Sequence, residues 1–146
     1  MHLSLRSLVI GSLALLTAGF AAGAAVQRQA VHAQEAQRVF ELRTYTTPAG
    51  KLEDLHARFR DHTLGFFQKY GMTNIGYWRP LDDPLKSNTL IYLLAYPNRA
   101  AAEASWKAFR SDPAWQKVVA DSQANGSILD GVVSVFLEPT DYSPMK

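Results

Sequence analysis

The chain of 146 residues contains no cysteine. Neither a disulfide framework nor a thiolate metal site is open to it, so its stability rests on a packed core or on a partner subunit. A basic excess is also missing where it would count. The sequence pI of about 9.0 invites a nucleic-acid reading. Yet Arg6 and Arg28 lie before residue 34 and every acidic residue lies after it, so residues 34–146 hold 13 Lys and Arg against 13 Asp and Glu. Without a basic stripe the electrostatic footprint of phosphate-driven binding is absent, and no nucleic-acid partner is expected. The sequence has no Gly-rich phosphate loop, no nucleophile elbow with Ser, His and Asp partners and no carboxylate cluster for a hard metal. No metal and no cofactor are expected. The apolar run from Leu8 to about Phe20 is shorter than the roughly 20 residues of a comfortable membrane span.

That run has a different meaning. Arg6 precedes it, and the small residues Ala21, Ala22, Gly23 and Ala24 follow it. Basic head, apolar middle and small-residue end are the order of a secretory signal. Residues 1–24 are therefore expected to be a signal peptide, cleaved after Ala24 or as late as Ala33. Residues 25–37 read as a flexible Ala/Gln-rich linker, 38–140 as the domain and 141–146 as a tail. The protein is expected to be secreted or periplasmic, with no stable membrane span after cleavage. The remaining roughly 110 residues suffice for one small domain.

Within the domain, "RVFELRTYT" (38–46) alternates as a strand. Thr47 and Pro48 suit a helix start, although Gly50 moves the regular helix toward Lys51. The helix "KLEDLHARFRDHTLGFFQKY" places Leu52, Leu55, Phe59, Phe66 and Tyr70 on one face, and Gly71 stops it. A strand from Thr73 to Arg79 follows, then the polar turn "DDPLKSN". "TLIYLLAY" (89–96) is almost wholly apolar, as a central strand should be. Asn98 caps a helix; Asp112 and Pro113 restart a second helical piece that ends at Asn125-Gly126. "SILDGVVSVFLEP" is the last strand, with Gly131 as a candidate bulge.

The order β-α-β-β-α-β is the split arrangement of one antiparallel sheet with both helices on one face, an α+β ferredoxin-like fold. Strand parity sorts the side chains into two sets. Phe40, Leu42, Ile91, Leu93, Val133, Val135 and Leu137 are expected under the helices. Glu41, Arg43, Tyr45, Tyr77, Arg79, Tyr92, Leu94, Tyr96, Val132, Ser134 and Phe136 are expected on the open side. A face so mixed marks an interface or a ligand site. Two copies placing these faces together form a homodimer around a cavity lined by Tyr, Arg and Glu.

Several segments in the right order carry a resemblance. "FELRTYTTPAGKLEDL", "IGYWRPL" and "AYPNRAAAEASWKAFRSDPAWQ" resemble the NIPSNAP family. Its Glu-Leu-Arg-x-Tyr, Pro and Gly-Lys-Leu run appears as Glu41, Leu42, Arg43, Tyr45, Pro48, Gly50, Lys51 and Leu52. Its Gly-x-Trp appears as Gly76 to Trp78, and its later strand and helix as Tyr92 to Tyr96, Arg99, Asp112, Pro113 and Trp115. The likeness spans about residues 38–138 and departs from the common Gly-Pro-Leu-Asn at Asp83, Pro84 and Leu85. It implies a domain that pairs into a dimeric α+β barrel. Related barrels include cofactor-free monooxygenases, isomerases and haem proteins, so the resemblance does not fix a reaction.

Two readings stand for Glu41, Arg43 and Tyr45: a polar grip on an organic ligand, with Glu41 as base and Arg43 on an anionic group, or a structural ion pair. His56 and His62 differ by about 120° around an ideal helix, so they do not share one site. His56 is the histidine taken as a catalytic candidate. Tyr45, Tyr77, Arg79, Tyr92 and Tyr96 are candidate ligand contacts, although the tyrosines also suit an interface. Trp106 and Trp115 read as core. Binding of a small hydrophobic or aromatic molecule is the leading reading. A cofactor-free monooxygenase or isomerase and a non-catalytic dimeric scaffold are the alternatives.

Overall fold

The computed structural model describes residues 38–146. The expected signal peptide, linker and cleavage site lie outside the described residues. The chain runs through β1 (Val39–Thr46), α1 (Leu52–Arg58), a π-helical turn (Phe59–Thr63), α2 (Leu64–Lys69), β2 (Thr73–Trp78) and β3 (Thr89–Tyr96). It then continues through α3 (Arg99–Ser111), α4 (Pro113–Ser122) and β4 (Gly131–Leu137). The four strands form one antiparallel sheet in the order β2-β3-β1-β4. This is the α+β, ferredoxin-like arrangement read from the sequence, with the apolar β3 in a central position.

The local signals act largely as expected. Asn98 accepts from Ala101 N at 2.8 Å, and Asp112 accepts from Ala114 N at 2.7 Å with Pro113 in the first turn, so each supplies one of the orphan donors of a helix start. Gly71, at φ +74°, closes α2: its N–H reaches Gln68 O and Met72 N–H reaches Phe67 O, the paired bonds of a Schellman end. Thr47 does not cap. Lys51 N–H bonds Pro48 O across a turn in which Gly50 takes φ +75°, and Lys51 stands at the helix N-cap without a side-chain bond. The bulge falls at Asn74–Gly76 in β2, not at Gly131, which pairs regularly with Thr46.

The first helical run is not one regular α-helix. In the turn at Phe59–Thr63, Leu64 N–H reaches back five residues to Phe59 O, and Thr63 Oγ1 donates to Arg58 O at 3.1 Å. The wider turn advances the apolar stripe by one position. Phe67, not Phe66, is therefore the fully buried residue. It packs edge-on or tilted against Phe59, Tyr92, Trp106 and Phe109, while Phe66 is half-buried against Phe109 and Trp115.

Parity sorts the strands into the two sets expected, but the helices cover the opposite one. Glu41, Tyr45, Tyr92, Leu94 and Tyr96 are buried in the core with Trp106, Phe109, Leu55 and Phe59. Val133, Val135, Leu137 and Trp78 are 40–61% exposed on the other face. The expectation that Phe40, Leu42, Ile91, Leu93, Val133, Val135 and Leu137 lie under the helices is overturned. With it goes the dimer-lumen cavity lined by Glu41, Arg43 and Tyr92. The physical reason centres on Glu41: Arg43, Ser134, Trp106 and Tyr96 all donate to its carboxylate, so the charge of the mixed face enters the interior paired and hydrogen-bonded. Phe40 is still buried, since Arg38 stacks on its ring at 5.1 Å and the C-terminal stretch lies against it. No described helix is long and apolar enough to cross a membrane.

Candidate functional site

β1 and β3 bring five of the eight predicted site residues into the space beneath the helices. Arg43 pairs across strands with Tyr92, Tyr45 with Leu90 and Glu41 with Leu94. Side chains opposite one another share a face, so these groups meet by register alone. Glu41 is 1% exposed and accepts four bonds. Arg43 Nη1 (2.6 Å) and Ser134 Oγ (2.5 Å) donate to Oε1; Trp106 Nε1 (2.6 Å) and Tyr96 Oη (2.8 Å) donate to Oε2. Burial alone pushes this carboxyl up, but the bonds from Ser134, Trp106, Arg43 and Tyr96 outweigh it and hold the pKa below the ordinary value. A carboxylate so engaged is a structural tie. It lines neither the cleft beside β2 nor the cleft beside α4.

Two arginines enter this interior on different terms. Arg43 lies 4.2 Å from the Trp106 ring and donates a long bond of 3.4 Å to Tyr45 Oη. Burial opposes its charge, yet Tyr45, Tyr92 and Glu41 raise its pKa above the ordinary guanidinium range. Arg58, from the end of α1, is as deeply placed and has no carboxylate partner among the described residues. Burial lowers its pKa, with only the Tyr45 and Tyr92 oxygens in opposition. Arg43 Nε, Arg58 Nε and Tyr92 Oη are buried without hydrogen-bond partners. Burial drives the Tyr92 hydroxyl well above its usual pKa, so it remains a neutral donor.

The other three predicted residues lie together elsewhere. His56, Tyr77 and Arg79 line a cleft of about 450 Å³ between the first helical run and the β2 edge, with Phe59, Leu64, Trp78 and Leu90 among its walls. Phe59 packs on Tyr77, Tyr45 and Tyr92, and Tyr77 stacks on Tyr92 at 5.5 Å, so aromatic rings connect the cleft to the polar interior. Tyr77 Oη donates to Asn74 Oδ1 at 2.5 Å, and Asn74 Nδ2 donates to Leu64 O at 3.2 Å, which locks β2 to α2. Burial raises the pKa of the Tyr77 hydroxyl above its ordinary value. Arg79 meets Glu53 at 3.6 Å at the exposed rim, a weak pair in water. His56 Nε2 is buried and has no partner.

His62 lines a different cleft of about 390 Å³, between α1 and α4, together with Arg58 and Ser122. The two histidines thus occupy opposite flanks of the first helical run. Arg58, Ser134 and the hydrogen-bonding role of Trp106 were missed by sequence reasoning. Arg58 had a signal: it stands three residues after Leu55, on the apolar stripe of its helix, where a cation has no reason to be. Among the described residues no group of three or more His, Asp or Glu is arranged to hold a metal.

The architecture recurs among solved structures. A NIPSNAP domain protein from Burkholderia xenovorans is 26% identical over 73% of this chain and 98% of its own, with a TM-score of 0.62. A NIPSNAP family protein from Agrobacterium tumefaciens is 20% identical over 75% of this chain and 99% of its own, with a TM-score of 0.65. SnoaB, a cofactor-independent oxygenase from Streptomyces nogalater, shares the fold at 15% identity over 75% of this chain and 99% of its own, with a TM-score of 0.52. No curated protein matches the chain. The family profile described as NIPSNAP matches residues 40–144, which spans β1 to the C-terminal stretch, and the chain belongs to the NIPSNAP family.

Proposed function

We propose that this chain is an exported homodimer that binds a small hydrophobic or aromatic molecule in the cleft between the first helical run and β2. The observation that carries the reading is His56. Its side chain lines a cleft of about 450 Å³ whose walls are mainly apolar, and its Nε2 is buried without a partner. Ligand pockets combine apolar walls with a few polar groups that fix orientation, at volumes of about 300–1,000 Å³. Phe59, Leu64, Tyr77 and Leu90 supply the walls, and His56, Arg60 and Arg79 the polar groups. The uncovered apolar sheet face supports pairing with a second copy, since a monomer would leave Val133, Val135, Leu137 and Trp78 in water. The basic, apolar and small-residue order of residues 1–24 supports export.

A second reading uses the same cleft. In a cofactor-free oxygenation or isomerisation, His56 would take a proton from a phenol or an activated C–H, as an imidazole without another partner can. SnoaB, which shares the fold, is a cofactor-independent oxygenase, and a shared fold does not choose a reaction here.

The test is titration of the pure protein with phenol, hydroquinone and 2-naphthol, followed by NMR of the His56 and Tyr77 rings and by oxygen uptake. Ring shifts that saturate, and that vanish in His56→Ala, are expected. Uptake of oxygen that depends on His56 selects the enzyme reading; saturation without uptake selects the binder. Silence of both rings toward all three probes at millimolar concentration overturns both readings.

A further inference from the structure

The second cleft has no part in that reading, yet it holds a buried charge without a carboxylate partner among the described residues. Arg58 is 5% exposed. Its Nη1 reaches Ser122 Oγ at 3.4 Å, its guanidinium lies 5.6 Å from the Trp115 ring, and its Nε has no partner. Arg43, which shares Tyr45 and Tyr92 with Arg58 as electrostatic neighbours, has Glu41 as counterion. No carboxylate pairs with Arg58 among the described residues. A buried cation is normally paired or displaced by an apolar residue, because desolvation without a counter-charge is unfavourable.

The surroundings define what would complete it. The cleft of about 390 Å³ has apolar walls from Ala57 and Val118, with Lys51, Arg58, His62, Ser122 and Asn125 as its polar lining apart from the acids. Ser122 Oγ donates to Val119 O at 3.0 Å, which leaves it able to accept from Arg58. Two of the rim acids are already engaged: Asp54 with Lys51 at 3.0 Å and Asp121 with Lys117 at 2.8 Å. Asp61 also lines the cleft. An anion is needed by Arg58, but a dianion such as phosphate would meet three acids at the mouth. A planar monocarboxylate matches the guanidinium fork and limits that repulsion.

We infer that the cleft between α1 and α4 is a binding site for a small organic monocarboxylate, with Arg58 as the receptor of its carboxylate and Ala57 and Val118 against its apolar body. The site lies on the opposite flank of the first helical run from His56 and stands or falls independently of the reading given above.

Benzoate titrated into the full-length protein, with benzamide as its neutral isostere, tests the assignment. Benzoate is expected to bind at least about tenfold more tightly than benzamide, as a charge-assisted pair allows. Arg58→Met is expected to abolish the preference while raising the melting temperature of the unliganded protein, because it removes an uncompensated buried cation. Arg58→Lys is expected to weaken benzoate and Asp61→Asn to strengthen it; these two carry the test should Arg58→Met not fold. Equal binding of benzoate and benzamide, or benzoate affinity unchanged in the Arg58 variants, overturns the inference. His56→Ala is expected to leave benzoate binding intact, which separates this site from the other cleft.

Discussion

Trp106 donates its indole N–H to Glu41 Oε2 over 2.6 Å, and that bond ties α3 to the centre of the sheet. Trp106 also carries the Arg43 guanidinium on its ring at 4.2 Å. One side chain therefore serves both members of the buried ion pair. The pair is held by a helix that begins at Arg99, more than 50 residues along the chain from Glu41.

Substitutions in this network should rank by what they leave unpaired. Glu41→Gln removes the counter-charge of Arg43 and strands a buried cation, at about 3–5 kcal/mol of stability. Trp106→Phe keeps much of the ring packing and removes one donor to a carboxylate that retains three others, at about 1–3 kcal/mol. Because the two share a contact, their effects should be non-additive in a double-mutant cycle. Urea denaturation measures all three. A Glu41→Gln chain as stable as Trp106→Phe contradicts the account.

Acid should loosen the fold through two carboxylates. Glu41, ordinarily near 4.5, is held lower by its four bonds. Asp112, ordinarily near 3.8, is lowered by Lys69 (2.7 Å) and Tyr70 (2.6 Å) and by the Ala114 N–H. A depressed carboxylate adds stability that is complete above its unfolded pKa and is lost as the pH falls through its folded one. Unfolding free energy should thus hold from pH 7 to about 5 and decline below 4.5. Asp112→Asn should be less stable than wild type at pH 7, with a gap that narrows below pH 3.8. A gap independent of pH would show that the Asp112 charge contributes nothing.

The uncovered sheet face gives a third expectation. Val135 pairs with Leu42 at the middle of β4 and is 46% exposed. A charge there should leave the protomer fold intact and oppose any sheet-to-sheet pairing. Wild type should sediment as a dimer and Val135→Asp as a monomer with unchanged far-UV circular dichroism. A wild-type chain that sediments as a monomer at micromolar concentration removes the dimer from the proposed function, whereas the two clefts, each built within one protomer, remain.

Much of the architecture was legible in the residues. The caps at Asn98 and Asp112, the stop at Gly71 and the central place of "TLIYLLAY" each follow from local chemistry, and local chemistry is what a short window of sequence holds. The π-helical turn was not legible, because 3.6-residue periodicity over Leu52, Leu55 and Phe59 runs on smoothly to Phe66, and the structure advances to Phe67. Glu41 and Arg43 were recognisable as a pair. Trp106 and Ser134, which complete the pair, come from positions 65 and 93 residues further on.

By itself the sequence determined which strand residues travel together: alternation with period two assigns Glu41, Arg43, Tyr45, Tyr92 and Tyr96 to one side and Leu42, Ile91, Leu93, Val133 and Val135 to the other. It did not determine which side the helices would cover, since alternation is symmetric between the two faces of a sheet. That choice was made in three dimensions. Trp106, Tyr96, Ser134 and Arg43 converge on Glu41 and satisfy it, so the mixed face became the interior, and the largely apolar face, which carries Thr44 beside Ile91 and Val133, was left only partly covered by the C-terminal stretch.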